Sequence, residues 1–401
     1  MVQKEHKIMR LLIINTHPIH YHVPIYRTLN EYQDLSLDVV YLLNVYSAEY
    51  RDPDHHKGWQ MEYDYGLCKG YNNWLIKNYA LRPGFGFFGI INFGVFPLII
   101  RQQYDAVLLF GYTHLTSWFV WLACLLSNTP VIFKGESDLR TKRPWYKKFI
   151  KELYVRLFFC KISLFSYSYK ENAQYLKKYG AKDKQLVFTP CAVNNSYYQE
   201  KAQSINPRDV LDKYKLPPNA AVFLFNGRLE ERKRPEIALK AFKNVLRNTH
   251  QNIFFIFSGD GSQKEYLKKL SMDYLSEGKI IFTGFNQSED ICELYSITYG
   301  LVLPSAKDPS PKVINEAMNF GIPVIVSDSV GTANDLVIHN YNGMIFDTDN
   351  VESLTTCYYK ILSSSTTYKD FSKNALSTMD TWSIVNDALS IYEAVRSVKH
   401  E

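Results

Sequence analysis

Arg228 and Lys233 stand close together in the stretch Phe225-Asn226-Gly227-Arg228-Leu229-Glu230-Glu231-Arg232-Lys233. An apolar run ends at Gly227 and a helical pattern begins near Pro235, so both cations fall on a strand-to-helix loop. Open α/β sheets bind ligands beyond the carboxyl ends of their strands. Two fixed cations there could hold a diphosphate and stabilise it as it departs; the plainer alternative is a solvated loop. A second stretch, Ser305 to Met318, carries Asp308, Ser310, Lys312, Val313 and Glu316. Its helix is expected to start near Pro311, a favoured first helical residue. Asp308 then precedes a helix N-terminus, where free backbone N–H groups favour oxygen-rich ligands, and Glu316 lies in the second turn. The two acids could face one pocket and accept bonds from sugar hydroxyls, or they could be dipole partners and surface charge.

The elements that position these residues follow from the apolar pattern. Strands are expected at Arg10–Thr16, Leu37–Leu43, Ala106–Gly111, Val131–Gly135, Leu164–Tyr167 and Leu186–Val193. A second series covers Ala221–Gly227, Ile253–Gly259, Lys279–Phe285, Gly300–Pro304, Pro323–Ser327 and Met344–Asp347. Continuous apolar strands separated by helical patterns imply parallel sheets covered on both faces. Two such series imply two doubly wound Rossmann-like domains, which suits a chain of 401 residues. The division expected is a first domain over 1–195, a polar linker over 196–219, a second domain over 220–380, and a C-terminal helix within 381–401 that could pack back on the first domain.

With those elements in place, the second half resembles the family-4 glycosyltransferases of the GT-B fold, in the form that builds bacterial surface polysaccharides. Gly227-Arg228-Leu229 with Lys233 is similar to that family's phosphate-binding signature. Gly259-Asp260-Gly261 is similar to its glycine turn, and Phe282-Thr283-Gly284-Phe285 to its base-side loop. Asn315-Glu316-Ala317-Met318 through Gly321-Ile322-Pro323-Val324 is similar to the end of its two-acid motif. Gly331, Asp335-Leu336-Val337 and Asn342-Gly343 complete the series.

The resemblance implies two Rossmann-like domains facing a central cleft, with a nucleotide sugar on the second and a glycan or lipid-linked acceptor on the first. It implies a retaining transfer with no metal in the site and no cofactor. Arg228 and Lys233 would contact the diphosphate, Glu316 the ribose, Asp308 the transferred sugar, and Gly284 and Phe285 would lie near the base. Ser310, Lys312 and Val313 belong to the same donor loop. The sequence departs from the family here: Asp308 replaces a longer Glu, and Pro309-Ser310-Pro311-Lys312 replaces a glycine-rich run. Two prolines remove two backbone donors, so the sugar pocket is expected to be reshaped. An epimerase of the same fold and a weakly active nucleotide-sugar-binding subunit remain as alternatives.

The first half resembles the family less. Its opening loop, Asn15-Thr16-His17-Pro18-Ile19-His20-Tyr21-His22, places His17, His20 and His22 within six residues. No acidic or cysteine ligand sits beside them, so they line the acceptor cleft or are partly structural. His114 is a further acceptor candidate or a packed histidine. Glu136 and Asp138 follow the strand Val131–Gly135. Glu136 stands where relatives often carry a histidine facing the transferred sugar. It could steer the acceptor hydroxyl or take its proton, or pair with Arg140 or Lys134. Gly84-Phe85-Gly86-Phe87-Phe88-Gly89 spells G-x-G-x-x-G, but no strand immediately precedes it and Asp105 begins a strand. Nicotinamide binding is therefore not expected; a mobile, aromatic acceptor loop fits better.

Composition excludes several classes. Apolar residues make up 46% and charged residues 21%, which is globular and not disordered. The longest apolar stretch, Phe85–Ile100, is interrupted by Asn92 and Pro97, too short for a membrane span. The polar start runs directly into a strand, unlike a signal peptide. Six scattered cysteines without a C-x-x-C pair read as reduced and cytoplasmic. Residues 139–184 hold 13 Lys/Arg against 3 Asp/Glu. Arg140–Lys151 mixes those cations with Trp145, Tyr146 and Phe149 near a helix start, which suits an anionic membrane surface; a solvated helix face is the alternative. Nucleic acid is not expected, because no binding module accompanies the charge.

Overall fold

Strand β1 (Met9–Asn15) shows how this chain makes sheets. Leu11, Leu12, Ile13 and Ile14 are all fully buried, so both faces of the strand lie in core. An amphipathic hairpin strand would bury alternate residues; a strand buried on both faces needs helices above and below it. A computed structural model describes residues 8–45, 65–140 and 144–399, and it divides into two units. The first holds residues up to Pro190 together with the segment from Ile384 onward; the second holds Cys191–Ser383.

The first unit contains β1, β2 (Leu35–Tyr41), β3 (Asn72–Leu75), β4 (Ala106–Phe110), β5 (Val131–Lys134), β6 (Leu164–Tyr167) and β7 (Leu186–Phe188). They form one sheet in the order β3-β2-β1-β4-β5-β6-β7, and every pairing is parallel. The second unit contains β8 (Ala221–Asn226), β9 (Ile253–Ser258), β10 (Ile280–Gly284), β11 (Thr298–Leu303), β12 (Val324–Ser327) and β13 (Gly343–Phe346). Their order is β10-β9-β8-β11-β12-β13, again all parallel. Successive residues of β8 serve opposite cores: Val222 and Leu224 join one buried cluster, Phe223 and Phe225 the other. That alternation is the side-chain period of two acting on a sheet with helices on both faces.

Each strand anticipated from the apolar runs is present, and β3 is an additional one. Its Asn-Asn-Trp-Leu sequence lacks an apolar run because it is an edge strand. Asn72 donates to Asp38 Oδ1 on β2 at 2.6 Å.

Residues 196–219, read above as a linker, form structure of the second unit. Helices span Asn195–Ser204 and Pro207–Lys213. Asn194 caps the first through Tyr197 N, and Asn206 caps the second through Arg208 N with Pro207 as first helical residue. Asn206-Pro207 is thus a capped helix start within a stretch whose polarity reads as a linker. Val210 and Leu216 are buried in the core under β8. Asn195 donates to the carbonyls of Met379 and Trp382, at 2.8 and 3.1 Å.

The last helix, Ile384–Lys399, belongs to the first unit. Lys134 at the end of β5 meets Asp387 of this helix at 3.2 Å, with side chains only 4% and 1% exposed. The ammonium also donates to Thr189 Oγ1 at 3.0 Å. Removing one partner of such a pair strands a buried charge, at a cost of roughly 3–5 kcal/mol. Tyr392 adds a bond to Asp34 at 2.6 Å and stacks on Tyr32. All six cysteines are free thiols. No helix among the described residues is long and apolar enough to cross a membrane.

Candidate functional site

In both sheets the strand order reverses beside the first strand of the unit, leaving a crevice at the carboxyl ends where crossovers diverge. In the second unit this point lies between β8 and β11. The loop after β8 turns at Gly227, φ +151°, a region open to glycine and strained for other residues. Arg228 follows, its guanidinium 3.4 Å from Glu230, which also receives Arg232 at 3.1 Å. One 3-10 turn, Glu231–Lys233, then brings Lys233 back to the crevice before helix Pro235–Arg247 begins.

The loop after β11 comes to meet it. Ala306 N donates to Arg232 O at 2.9 Å, joining the two loops through backbone. Lys233 Nζ donates to Asp308 Oδ2, an ion pair in which both side chains are mostly buried. The structure therefore brings together the cation expected at the diphosphate and the acid expected at the sugar. Asp308 O in turn accepts from Gly331 N at 2.7 Å, fixing the loop against the turn after β12. Helix Lys312–Met318 follows, with Pro311 as its cap. Lys312 Nζ donates to Ser310 Oγ at 3.3 Å and also contacts Cys191 Sγ. Val313 packs against the core, so its side chain serves the fold of the loop.

The glycine turn after β9 packs against the loop after β8. A Cβ at Gly259 would collide with the carbonyl oxygen of Gly227, and one at Gly261 with that of Leu229. Leu229 N donates to Asp260 O at 2.9 Å and Gln263 N to Leu229 O at 2.8 Å. Gly259 N donates to Gly284 O at 2.7 Å, which ties in the loop after β10. Gly284 has φ +77°, and Phe285 beyond it is about half exposed.

Glu316 is the end of a hydrogen-bonded chain that the sequence did not reveal. Asn286 donates to Ser258 Oγ at 2.9 Å, Ser258 to Asn226 Oδ1 at 3.1 Å, Asn226 to Tyr295 OH at 3.0 Å, and Tyr295 to Glu316 Oε2 at 2.8 Å. Tyr198 of the first helix in this unit also hydrogen-bonds Glu316. Burial raises the carboxyl above its usual range, while the two phenol bonds and the charge of Lys312 oppose that shift. Asn226 and Ser258 each end an apolar strand with a polar residue, a readable signal. Tyr198 and Tyr295 gave none, since a tyrosine on a helix usually reports core.

The corresponding point of the first unit lies between β1 and β4. His17 and His114 flank the aromatic ring of Phe85, with ring centroids 5.5 and 6.5 Å from it. Burial lowers His17 to about 4. His114 is lowered too, mainly by burial, against a bond to Gly86 O that favours its charged form. His20 is exposed beside Tyr21. His22, expected among the acceptor residues, is buried under helix Val23–Leu29, 3.1 Å from Asn15 Nδ2 and packed on Phe110. It shapes the loop.

Gly84–Gly89 closes on itself, Gly84 N donating to Gly89 O at 3.2 Å. It contains one 3-10 turn, Phe87–Gly89, and helix Val95–Gln102 starts only later. The helix N-terminus that a dinucleotide fingerprint needs is therefore absent from it. After β5, Glu136 is exposed, and its carbonyl accepts from Tyr169 OH at 2.8 Å. Arg140 pairs with Asp138 at 2.7 Å and Lys134 with Asp387 at 3.2 Å. Asp138, expected to bind acceptor, has its carboxylate occupied by Arg140, whose backbone N–H and guanidinium both donate to it. It fixes the loop that presents Glu136.

Residues 208–378 match the family described as glycosyl transferases group 1. An uncharacterized glycosyltransferase of Methanocaldococcus jannaschii is 31% identical over 142 residues, 35% of this chain and 36% of that protein. The chain thus matches little more than a third of that relative's length. The Escherichia coli UDP-Gal:alpha-D-GlcNAc-diphosphoundecaprenol alpha-1,3-galactosyltransferase is 24% identical over 275 residues, 67% of this chain and 68% of that one. A solved glycosyltransferase from Rickettsia africae superposes with a TM-score of 0.72 at 15% identity, over 97% of this chain and 98% of the other. At that identity the likeness is one of fold, and the fold is GT-B.

Proposed function

From the match of residues 208–378 to the group 1 glycosyl transferases, we propose that this chain moves a sugar from a nucleotide sugar to a lipid-linked glycan acceptor. The observation that carries the reading is the meeting of Lys233 and Asp308 at the strand-order reversal, with Arg228 on the same loop. Arg228 and Lys233 neutralise the departing diphosphate, so that the anomeric carbon can gain cationic character. With that charge supplied by side chains, the transfer runs without a metal. Asp308 accepts from the transferred sugar, and Glu316 from the ribose. The acceptor hydroxyl attacks from the face the diphosphate leaves, which retains configuration. Glu136, exposed after β5, steers that hydroxyl, and the crevice lined by His17, Phe85 and His114 receives the acceptor's glycan.

The lipid-linked acceptor rests on the E. coli relative's name and on one surface of the first unit. Helix Trp145–Phe159 leaves Trp145, Phe149, Leu153 and Leu157 exposed at four-residue spacing, a stripe along one face. Lys147 and Lys148 lie beside it, both exposed. Such a face suits the interface of an anionic bilayer.

A thermal-shift panel of nucleotide sugars tests the donor assignment, because only a ligand of the folded state raises its stability. The stabilising donor is then incubated with a diphospholipid-linked sugar, with and without EDTA, and the product anomer read by NMR. Transfer with retention in EDTA is expected. Conversion of the donor without acceptor would identify an epimerase instead, and binding with no turnover a binding subunit.

A further inference from the structure

We propose that Tyr198 and Tyr295 are positioning residues that hold the Glu316 carboxylate for the donor's ribose, linking that carboxylate to the base-side loop. The inference rests on the reading of Glu316 as the ribose acceptor and goes beyond it. A carboxylate on a short helix can adopt several rotamers, and only some present an oxygen to a vicinal diol. Here the choice is made by two phenols from two other helices, Asn195–Ser204 and Ser288–Ile297. Tyr295 is buried and donates to Oε2 at 2.8 Å. Its own oxygen accepts from Asn226 at 3.0 Å, so its proton is directed to Glu316.

The chain then continues through Ser258 to Asn286. Asn286 also donates to Gly284 O at 3.1 Å, next to Phe285. The termini of β8, β9 and β10 are thereby tied by side chains into one rigid edge. Tyr198 enters from a helix that is itself anchored: Gln199 donates to Asn319 at 3.0 Å and Asn319 to Asn195 at 2.9 Å. With both phenols donating, the carboxylate reaches the ligand with its remaining lone pairs aimed and its side-chain entropy already lost. Such preorganisation strengthens binding without a new ligand contact.

The test separates positioning from bulk stability by measuring a ligand difference. Whichever of UDP, GDP and ADP gives the largest thermal shift is titrated calorimetrically beside its 2′,3′-dideoxy counterpart. The ratio of the two affinities reports the ribose contacts alone. In the native chain the ribose form is expected to bind at least roughly tenfold tighter, as for hydrogen bonds to a charged acceptor. Glu316→Gln should remove most of that preference. Tyr198→Phe and Tyr295→Phe, which keep the rings, should each reduce it about threefold or more while leaving the dideoxy affinity near native. Equal weakening of both ligands, or an unchanged preference in both tyrosine variants, would overturn the proposal. Tyr198 is only half-buried, so its variant remains informative even if Tyr295→Phe does not fold. An unchanged preference in Glu316→Gln would instead sink the ribose reading beneath it.

Discussion

In the second unit the strand order reverses beside β8, and the loops there carry Arg228, Lys233 and Asp308. In the first it reverses beside β1, and the loops there carry His17, His114 and Phe85. One topology thus carries charged side chains in one place and aromatic and histidine rings in the other, so the fold alone does not set what its loops present. The loops are also built differently. Those of the second unit are locked by backbone: Gly259 lies against Gly227 O, Gly261 against Leu229 O, and backbone bonds run across both. Those of the first also carry backbone bonds, Leu43 N to Thr16 O at 2.8 Å among them, but add a buried side-chain hub. Asn92, fully buried, donates to the carbonyls of Leu42, Ile76 and Lys77, and Thr116 bonds both Asn92 and Ile90. A backbone lock constrains main-chain positions whatever the side chains are, whereas a side-chain hub depends on the particular residues that make it. The charge follows the same division. Residues 1–200 carry 24 Lys/Arg and 16 Asp/Glu, the remainder 22 and 24.

The sharpest way to break this contrast is to add one methyl group on each side. Gly259→Ala places a Cβ on the Gly227 carbonyl at φ +139°. It should cost about 3 kcal/mol or more, because nothing but backbone can give way. Gly86→Ala has open space around its Cβ and should stay within about 0.5 kcal/mol of native. Denaturant melts of both variants check this, and equal costs would mean that the second unit's loops are no more locked than the first's. Next in size, Lys233→Ala and Arg228→Ala should each lower turnover at least about tenfold through lost stabilisation of the leaving group. Acceptor KM should hardly move. Native kcat and donor affinity in both variants would remove the phosphate site from the second unit.

Much of this was legible in the sequence, for reasons that differ by element. The strands buried on both faces announce themselves as unbroken apolar runs, and the loop after β8 by glycines that must turn there. β3 was not legible, because an edge strand shares its polarity with loops. The helices over 195–213 were misread because Asn-Pro signals a loop and a capped helix start equally well; only the burial of Val210 and Leu216 decides. His22 shows the opposite limit. A histidine in a cluster of three suggests chemistry, yet its ring is spent on Asn15 and Phe110. The cluster around Glu316 joins Tyr295 and Glu316, on neighbouring helices, to Tyr198 on a helix far earlier in the chain, and no spacing rule reaches that far.

The smallest expected effect concerns the surface of the first unit. Exposed Trp145, Phe149, Leu153 and Leu157 form an apolar stripe on helix Trp145–Phe159, with Lys147 and Lys148 beside it. Thr141, Lys142 and Arg143 of the basic stretch lie outside the described residues. Lys151 is otherwise engaged, its ammonium 4.6 Å from the centre of the Tyr175 ring. Lys148 is therefore the cleaner probe. A cation near an anionic leaflet contributes about 1 kcal/mol, so Lys148→Gln should weaken vesicle binding about fivefold. The attraction is screened within a Debye length, so rising salt should close the gap between variant and native chain. Trp145→Ala should instead lower the share of binding that survives high salt, because an apolar contact is not screened. Sedimentation with phosphatidylglycerol-containing vesicles, compared with phosphatidylcholine alone, gives both readings. Equal binding to the two lipids, or none to either, would make this stripe an ordinary solvated face and confine the difference between the units to their crevices.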